Sequence, residues 1–371
     1  MKDVQERRGG RAPLFAAAGL AIVGPLVLGV TSIRIVATPS TPLQIVWVAL
    51  ALGVLGADAW LGVRRRWGLG LAALPPHVAL ALLLLGYAGS PLPAPPPLVG
   101  ELPSASPPDG MRLVALPTGV IQRSAAFGYR GGSPLERRDF AMTAVLVEHP
   151  RGDVLIDTGL GRDIDAQFGL MPLQFRAVTT YARARSAAEQ LDAAGYDRAR
   201  LGGILLTHAH WDHASGLPEF PGTPVWVTTE ERGFIERGGW ITAVARSARD
   251  AKFTEYDFEG GAYLGFDRSH DVYGDGAIVV VPAPGHTPGS VIVFVTLPDE
   301  RRFAFVGDLA WQLEGITERE PRPWPVRVLA DVDEAQVEQG ILRMSAIATR
   351  FPEIAIVPAH DARAFASMPT R

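Results

Sequence analysis

Hydrophobic positions along this chain follow two regimes. Up to about residue 88 they form long unbroken runs, and from Met111 onward they form short bursts separated by polar turns. Leu14 to Ile33 carries no charge, Leu43 to Val63 is interrupted only by Asp58, and Trp67 to Ala88 contains the pair Pro75-Pro76. About 20 apolar residues at 1.5 Å each cross about 30 Å of hydrocarbon. The pattern therefore predicts an N-terminal bundle of about three transmembrane helices, 14–33, 43–63 and 67–88. A cleaved signal peptide has a shorter apolar core, and the surface helices of a soluble protein show a polar face. A proline pair is tolerated as a kink where neighbouring helices satisfy the freed backbone groups. Asp58 and His77 read as interfacial or helix-packing groups.

Between the regimes, Ser90 to Asp109 contains eight prolines. Such composition favours an extended, semi-rigid conformation, so 90–110 reads as a linker that holds the next domain off the bilayer. From Met111 the bursts predict strands alternating with helices, an α/β domain over 111–371. Met142–Val147 and Val154–Ile156 form a hairpin about Pro150-Arg151-Gly152-Asp153. Ser186–Ala194 is a helix ended by Gly195 in a left-handed cap. Strands follow at Ile204–Leu206, Pro224–Thr228 and Ala277–Val281, then a hairpin of Ser290–Thr296 with Arg302–Val306. Asp333–Arg350 is a long helix before a last strand, Ile354–Val357.

The chemistry-bearing residues sit just past these apolar bursts. Thr207-His208-Ala209-His210-Trp211-Asp212-His213 gathers three of the eight histidines of the chain directly after a predicted strand. Residues two apart on an extended segment point the same way, so His208 and His210 can converge on one ion while Asp212 and His213 face a second. Imidazole and carboxylate are ligands that divalent ions such as zinc accept. Asp157-Thr158-Gly159, Pro284-Gly285-His286-Thr287-Pro288-Gly289-Ser290, Gly307-Asp308 and Pro358-Ala359-His360-Asp361 each follow a further strand. His149 and His270 lie outside these motifs and read as surface residues.

The H-x-H-x-D-H pattern, followed in order by the other four motifs, resembles the metallo-β-lactamase fold superfamily over residues about 111 to 365. The resemblance implies an αββα sandwich carrying two divalent ions, with zinc expected and manganese, iron or cobalt open on ligand type. It implies that His208, His210 and His286 hold one ion, Asp212, His213 and His360 the other, and that Asp308 bridges them beside a nucleophilic water or hydroxide. Asp157 would orient a ligand histidine from behind. Within the superfamily, Asp308 argues against a true β-lactamase, and the pattern is similar to the N-acyl homoserine lactonase-like group. Those lactonases often carry a tyrosine three residues after the bridging aspartate; here Trp311 stands there, an N–H donor without an ionisable phenol. Asp212 and Asp308 are the expected catalytic carboxylates, and the segment Leu160 to Phe175, with Phe168, Leu170, Met171 and Phe175, reads as an apolar lip beside Trp311 for an acyl chain or as a packed core edge.

Composition narrows the alternatives. The net charge of −4 shows no basic footprint, so nucleic acid is not an expected partner. With no cysteine, thiolate nucleophiles and Cys-ligated zinc are excluded. Lys2, Arg7, Arg8 and Arg11 precede the first apolar run and Arg64-Arg65-Arg66 separates the second from the third. The positive-inside rule puts both clusters in the cytoplasm and, after three crossings, the catalytic domain on the extracytoplasmic side. The expected protein is a membrane-anchored, dinuclear metal-dependent hydrolase of a carboxylic ester or lactone, with the lipid bilayer as its other partner. A phosphodiesterase or thioesterase of the same fold, or a non-catalytic metal-binding sensor, are the competing readings.

Overall fold

Three apolar helices come first: α1 (Arg11–Ala37), α2 (Thr41–Val63) and α3 (Trp67–Leu85). The computed structural model describes residues 11–37, 41–64, 67–366 and 368–370. The basic residues Lys2, Arg7, Arg8, Arg65 and Arg66, on which the orientation rests, lie outside the described residues. Helix α1 packs on both α2 and α3. Its Gly24 approaches Val54 so closely that a Cβ there would lie 2.4 Å from a valine methyl. Trp47 Nε1 donates to Ser32 Oγ at 2.8 Å, and His77 Nε2 lies 2.9 Å from Asp58 Oδ2, so the two isolated polar residues of α2 and α3 are each other's partners. Outward-facing Ile45, Leu52 and Leu55 are each 65% exposed, so α2 presents an uncovered apolar surface. Pro13–Ala37 and Leu43–Val63 are long and apolar enough to cross a membrane, whereas the third apolar helix is shorter, Ala72–Leu85. The expected extension of the third helix to residue 88 is not found. The chain turns after Leu85 to dock on the following domain, where Tyr87 O accepts from the Gly131 N–H at 2.9 Å.

The proline-rich stretch is extended but does not stand free, contrary to its reading as a spacer. The Leu92 N–H donates to Arg319 O and its carbonyl accepts from Arg319 Nε, Arg302 donates to Pro103 O, and the Ser106 N–H donates to Asp275 O. Leu92, Leu98 and Leu102 pack onto the hydrophobic cluster under the second sheet. Proline offers no N–H, so the segment is pinned by its few remaining donors, by its carbonyls and by leucines, not by a ladder.

The first sheet has seven strands in the order β4-β1-β2-β3-β5-β6-β7. They are β1 (Arg112–Ser124), β2 (Arg137–Glu148), β3 (Asp153–Ile156), β4 (Ala182–Arg183), β5 (Leu201–Leu205), β6 (Pro224–Val227) and β7 (Lys252–Glu255). The second has five in the order β12-β11-β10-β9-β8: β8 (His270–Asp271), β9 (Ile278–Pro282), β10 (Val291–Thr296), β11 (Arg302–Phe305) and β12 (Ile354–Val357). Val145, Val147, Val154 and Ile156 meet Val280, Val291, Val293 and Phe305 in the layer between them. Two short helices, α4 (Ala125–Gly128) and α5 (Leu173–Val178), lie at one rim. Helix α6 (Ala187–Ala193) covers the outer face of the first sheet through Ala187, Ala188 and Leu191. It starts with a reciprocal Ser186–Glu189 cap and ends before Gly195 at φ 66°, as expected. After α7 (Trp324–Ala330), α8 (Glu334–Arg350) covers the second sheet with Ile341, Met344 and Ile347. The layers are αββα.

His149 is 2% exposed, not a surface residue. Its Nε2 faces Asp275 Oδ2 at 3.1 Å, its Nδ1 accepts from the Arg151 N–H, and its ring stacks on Tyr273. His270 is half-buried against Tyr256.

Candidate metal centre

β3, β5, β11 and β12 all deliver their C-terminal ends to one rim, and the predicted site residues follow those ends. β5 runs into Thr207, whose N–H and hydroxyl donate to the two oxygens of Asp157 at 2.7 and 2.8 Å. Asp157 has φ 54°, a left-handed conformation that turns its carboxylate back across the rim. Gly285 (φ 134°) opens the loop that bears His286, and a Cβ there would lie 2.6 Å from the Val337 nitrogen of α8.

The structure brings all seven proposed ligands together. The ligating atoms of His208, His210, His286 and Asp308 lie within 4.8 Å of one another, and those of Asp212, His213 and His360 do likewise. Asp308 stands between the groups, Oδ2 at 3.3 Å from His286 Nε2 and Oδ1 at 3.3 and 3.1 Å from the Nε2 atoms of His213 and His360. Three of the rings are pinned from behind at Nδ1. His213 Nδ1 faces Asp157 Oδ2 at 2.8 Å, His286 Nδ1 faces Asp331 Oδ1 at 2.9 Å, and His360 Nδ1 faces Ala141 O at 2.7 Å. Each of those partners is an acceptor, so Nδ1 carries the proton and Nε2 is left with a lone pair towards the centre, where His286 Nε2 lies 2.9 Å from His210 Nδ1. His208 Nε2, His210 Nε2, His213 Nε2 and Asp308 Oδ1 are buried without a hydrogen-bond partner. Leaving such groups unsatisfied costs about 1–3 kcal/mol each. Nitrogen and carboxylate donors of this kind, buried and converging without good hydrogen bonds, fit bound cations.

The electrostatics agree. Burial, then the neighbouring imidazoles, holds His208 and His210 well below the usual histidine range, in the neutral form that ligates. At His213, His286 and His360 burial acts in the same direction but is outweighed by Asp157, Asp308 and Asp331, which raise them. Burial raises Asp308, and His360, His213 and His208 outweigh it, so that carboxyl stays ionised far into acid.

Several supporting residues were not found from the sequence. Glu231, buried in the helix after β6, accepts from the Ala209 N–H at 2.6 Å, the Thr287 hydroxyl at 2.6 Å and the Gly289 N–H at 3.1 Å, tying the two histidine loops together. Asp331, behind His286, is also paired with the buried Arg322 guanidinium, which donates to Asp308 O at 2.7 Å. Neither acid lies in a recognisable motif. Trp311 is held between Phe127 (stacked at 5.2 Å) and Arg322 (4.9 Å), and its N–H donates to Asp308 Oδ2 at 2.7 Å. That N–H is therefore directed at the carboxylate and not at a substrate carbonyl.

Beside Asp212 and His360 lies a cavity of about 110 Å³ walled by Phe127, Phe140, Met142, Phe175 and Trp311. Of the expected apolar lip, Phe175 and Trp311 line this cavity. Phe168 and Met171 do not: they pack in the cluster behind Trp211, where Met171 is 2% exposed.

The sequence profile described as the metallo-beta-lactamase superfamily matches residues 137–360. A probable metallo-hydrolase of Mycobacterium tuberculosis is 31% identical over 237 residues, 58% of this chain and 73% of that protein. The N-acyl homoserine lactonase AttM of Agrobacterium fabrum is 27% identical over 175 residues, 46% of this chain and 65% of that protein. Among solved structures, a B. thuringiensis AiiA variant with N-decanoyl-L-homoserine bound at its active site superposes with a TM-score of 0.54 at 21% identity, covering 70% of this chain and 96% of that one. With the fold, the rim of histidines and the matched profile in agreement, the chain belongs to the metallo-β-lactamase superfamily and is a metal-dependent hydrolase.

Proposed function

We propose that this chain is a membrane-anchored hydrolase of a carboxylic ester or lactone, working with two divalent ions, zinc first among them. His208, His210 and His286 would hold one ion, Asp212, His213 and His360 the other, and Asp308 both. The observation that carries this reading is the set of buried, partnerless donor atoms converging at one rim. When bound, such ions polarise a carbonyl oxygen, acidify water and stabilise developing negative charge.

The chain's own residues do the positioning. Asp157, Asp331 and the Ala141 carbonyl keep protons on the rear nitrogens of His213, His286 and His360. Asp212, at the cavity wall beside His360, is our choice for carrying a proton to the leaving oxygen, a role Trp311 does not share. Phe127, Phe140 and Met142 give the cavity an apolar wall. Arg123, at that wall, is held by the carbonyls of Ala37 and Val178, so its N–H groups are directed there and not into the cavity.

The same reading divides the chain into a membrane domain, 1–89, and a catalytic domain, 111–371, with 90–110 laid along the latter. α1 and α2 cross the bilayer, α3 completes a third crossing, and the catalytic domain is extracytoplasmic. The test is a screen of the full chain in detergent with zinc against lactones, activated esters, thioesters and phosphodiesters. Lactones and activated esters should be hydrolysed best, with two ions per chain by elemental analysis. Cleavage of phosphodiesters but not of carboxylic esters overturns the proposal.

A further inference from the structure

The cavity of about 110 Å³ beside the proposed metal centre is walled by apolar side chains, Phe127, Phe140, Met142 and Phe175 among them. What lies just outside is apolar and exposed. Helix α5, which supplies Phe175 to the wall, buries none of its residues, and Leu173 is 69% exposed. Leu170 precedes it, Val178 closes it, and Trp240 packs on Phe175 at 5.2 Å; all three are exposed. Past the His286 side of the centre, α7 carries Val328 and Leu329, 63% and 73% exposed, a turn before Asp331.

Both surfaces are tied to the ends of the apolar helices. The buried Arg123 guanidinium bridges Ala37 O, the last residue of α1, to Val178 O, the last of α5, while Ser124 Oγ donates to Val36 O at 3.1 Å. On the other side Trp324 Nε1, at the start of α7, donates to Leu82 O of α3 at 3.3 Å. The metal-bearing rim thus sits against the helix ends with an apolar collar on each flank. Arg176, exposed on α5, adds a cation to that flank, of the kind that pairs with anionic headgroups at an interface.

We propose that this collar lies in the bilayer interface and that the substrate is a long-chain amphiphile whose hydrocarbon tail stays in the membrane while its ester or lactone carbonyl enters the cavity. The substrate half rests on the ester or lactone chemistry proposed above, and the membrane half on the membrane anchoring proposed there. Because the chain has no cysteine, single replacements give unique labelling sites in the full protein reconstituted into phosphatidylcholine vesicles. A fluorophore on Leu173→Cys or Leu329→Cys should be quenched by doxyl-labelled lipid, and one on Asp299→Cys, in the hairpin turn at the opposite rim, should not. Equal quenching at all three positions overturns the placement. In the second arm, the double variant Leu173→Glu/Leu329→Glu should lose about tenfold in kcat/KM on a vesicle-partitioned long-chain ester, the equivalent of one leucine kept out of an apolar phase. It should keep its rate on a water-soluble acetyl ester. Equal effects on both esters refute the membrane route to the cavity. If the labels are quenched as expected but neither ester is hydrolysed by the parent protein, the ester chemistry fails and the membrane placement stands.

Discussion

Asp157→Asn tests the site through one proton. The left-handed backbone at this position (φ 54°) suits asparagine better than other non-glycine residues, so the turn should survive. The amide oxygen can still accept from the Thr207 N–H, but its NH₂ then faces His213 Nδ1, where a carboxylate oxygen lies at 2.8 Å. His213 must accept at Nδ1 and carry its proton on Nε2, which points at Asp308 Oδ1 3.3 Å away and is no longer a ligand. Loss of such an orienting partner costs about 10–100-fold in metal affinity, or about 1.4–2.7 kcal/mol. Chelator competition with zinc measures this directly. A pH signature accompanies it in metal-free protein. Burial lowers the His213 pKa, Asp157 and Asp308 outweigh it, and the net shift is upward. A raised pKa stabilises the fold fully below the unfolded value, about 6.5, and this stability is lost as pH rises through the folded value. The deficit of Asp157→Asn in urea unfolding should therefore be larger at about pH 6 than at about pH 9. Unchanged zinc affinity together with a pH-independent deficit would refute the tautomer argument.

Asp331→Ala strands the Arg322 guanidinium, only 3% exposed, and breaking a buried pair this way costs about 3–5 kcal/mol; a denaturant midpoint close to wild type contradicts it. Trp311→Phe keeps an aromatic ring between Phe127 and Arg322 but removes the N–H donated to Asp308, and should lower metal-free stability by about 1.5–3 kcal/mol. A thermal midpoint within error of wild type counts against that bond. Burial raises the Glu314 carboxyl, and the Arg363 hydrogen bonds with the Arg138 charge outweigh it, so its pKa is lowered. That stability is present above the unfolded value and lost as pH falls through the folded one; the cost of Arg363→Ala should shrink on acidification, and a constant cost argues otherwise. A reporter active only outside the cytoplasm, fused after Arg371, should be active. Activity of a cytoplasmic reporter there instead rules out three crossings.

Much of the catalytic fold was legible because its strands are short buried runs that stop at a ligand-type residue. Val154–Ile156 ends at Asp157, and Ile354–Val357 is followed by Pro358-Ala359-His360, so periodicity and chemistry changed at the same positions. The seven clustered residues were legible for the same reason. What escaped depends on partners distant in sequence. His149 reads as polar after a strand, yet it is buried because Asp275 faces it from 126 residues away. Glu231 looks like any exposed helix acid until Ala209 and Thr287 are seen to donate to it. Phe168 and Met171 have the composition of a pocket lip, and only packing against Trp211 shows them to be core. The third helix ends at Leu85 because the next residues are used in docking, which hydropathy does not record.

The proline-rich strap changes where this protein can be cut. It runs from Ser90, whose N–H donates to Glu320 at 3.0 Å near the histidine rim, to Ser106, bonded to Asp275 beside His149. Leu92, Leu98 and Leu102 along it close over the cluster that contains Val279, Ile292 and Ile347. A fragment beginning at about residue 105 would strip those leucines away and leave the cluster open to water, inviting aggregation of a domain whose histidine rim is intact. A fragment beginning at about Gly89 keeps the seam closed, so the cleavable junction of this molecule is the turn after Leu85, a few residues before its first prolines.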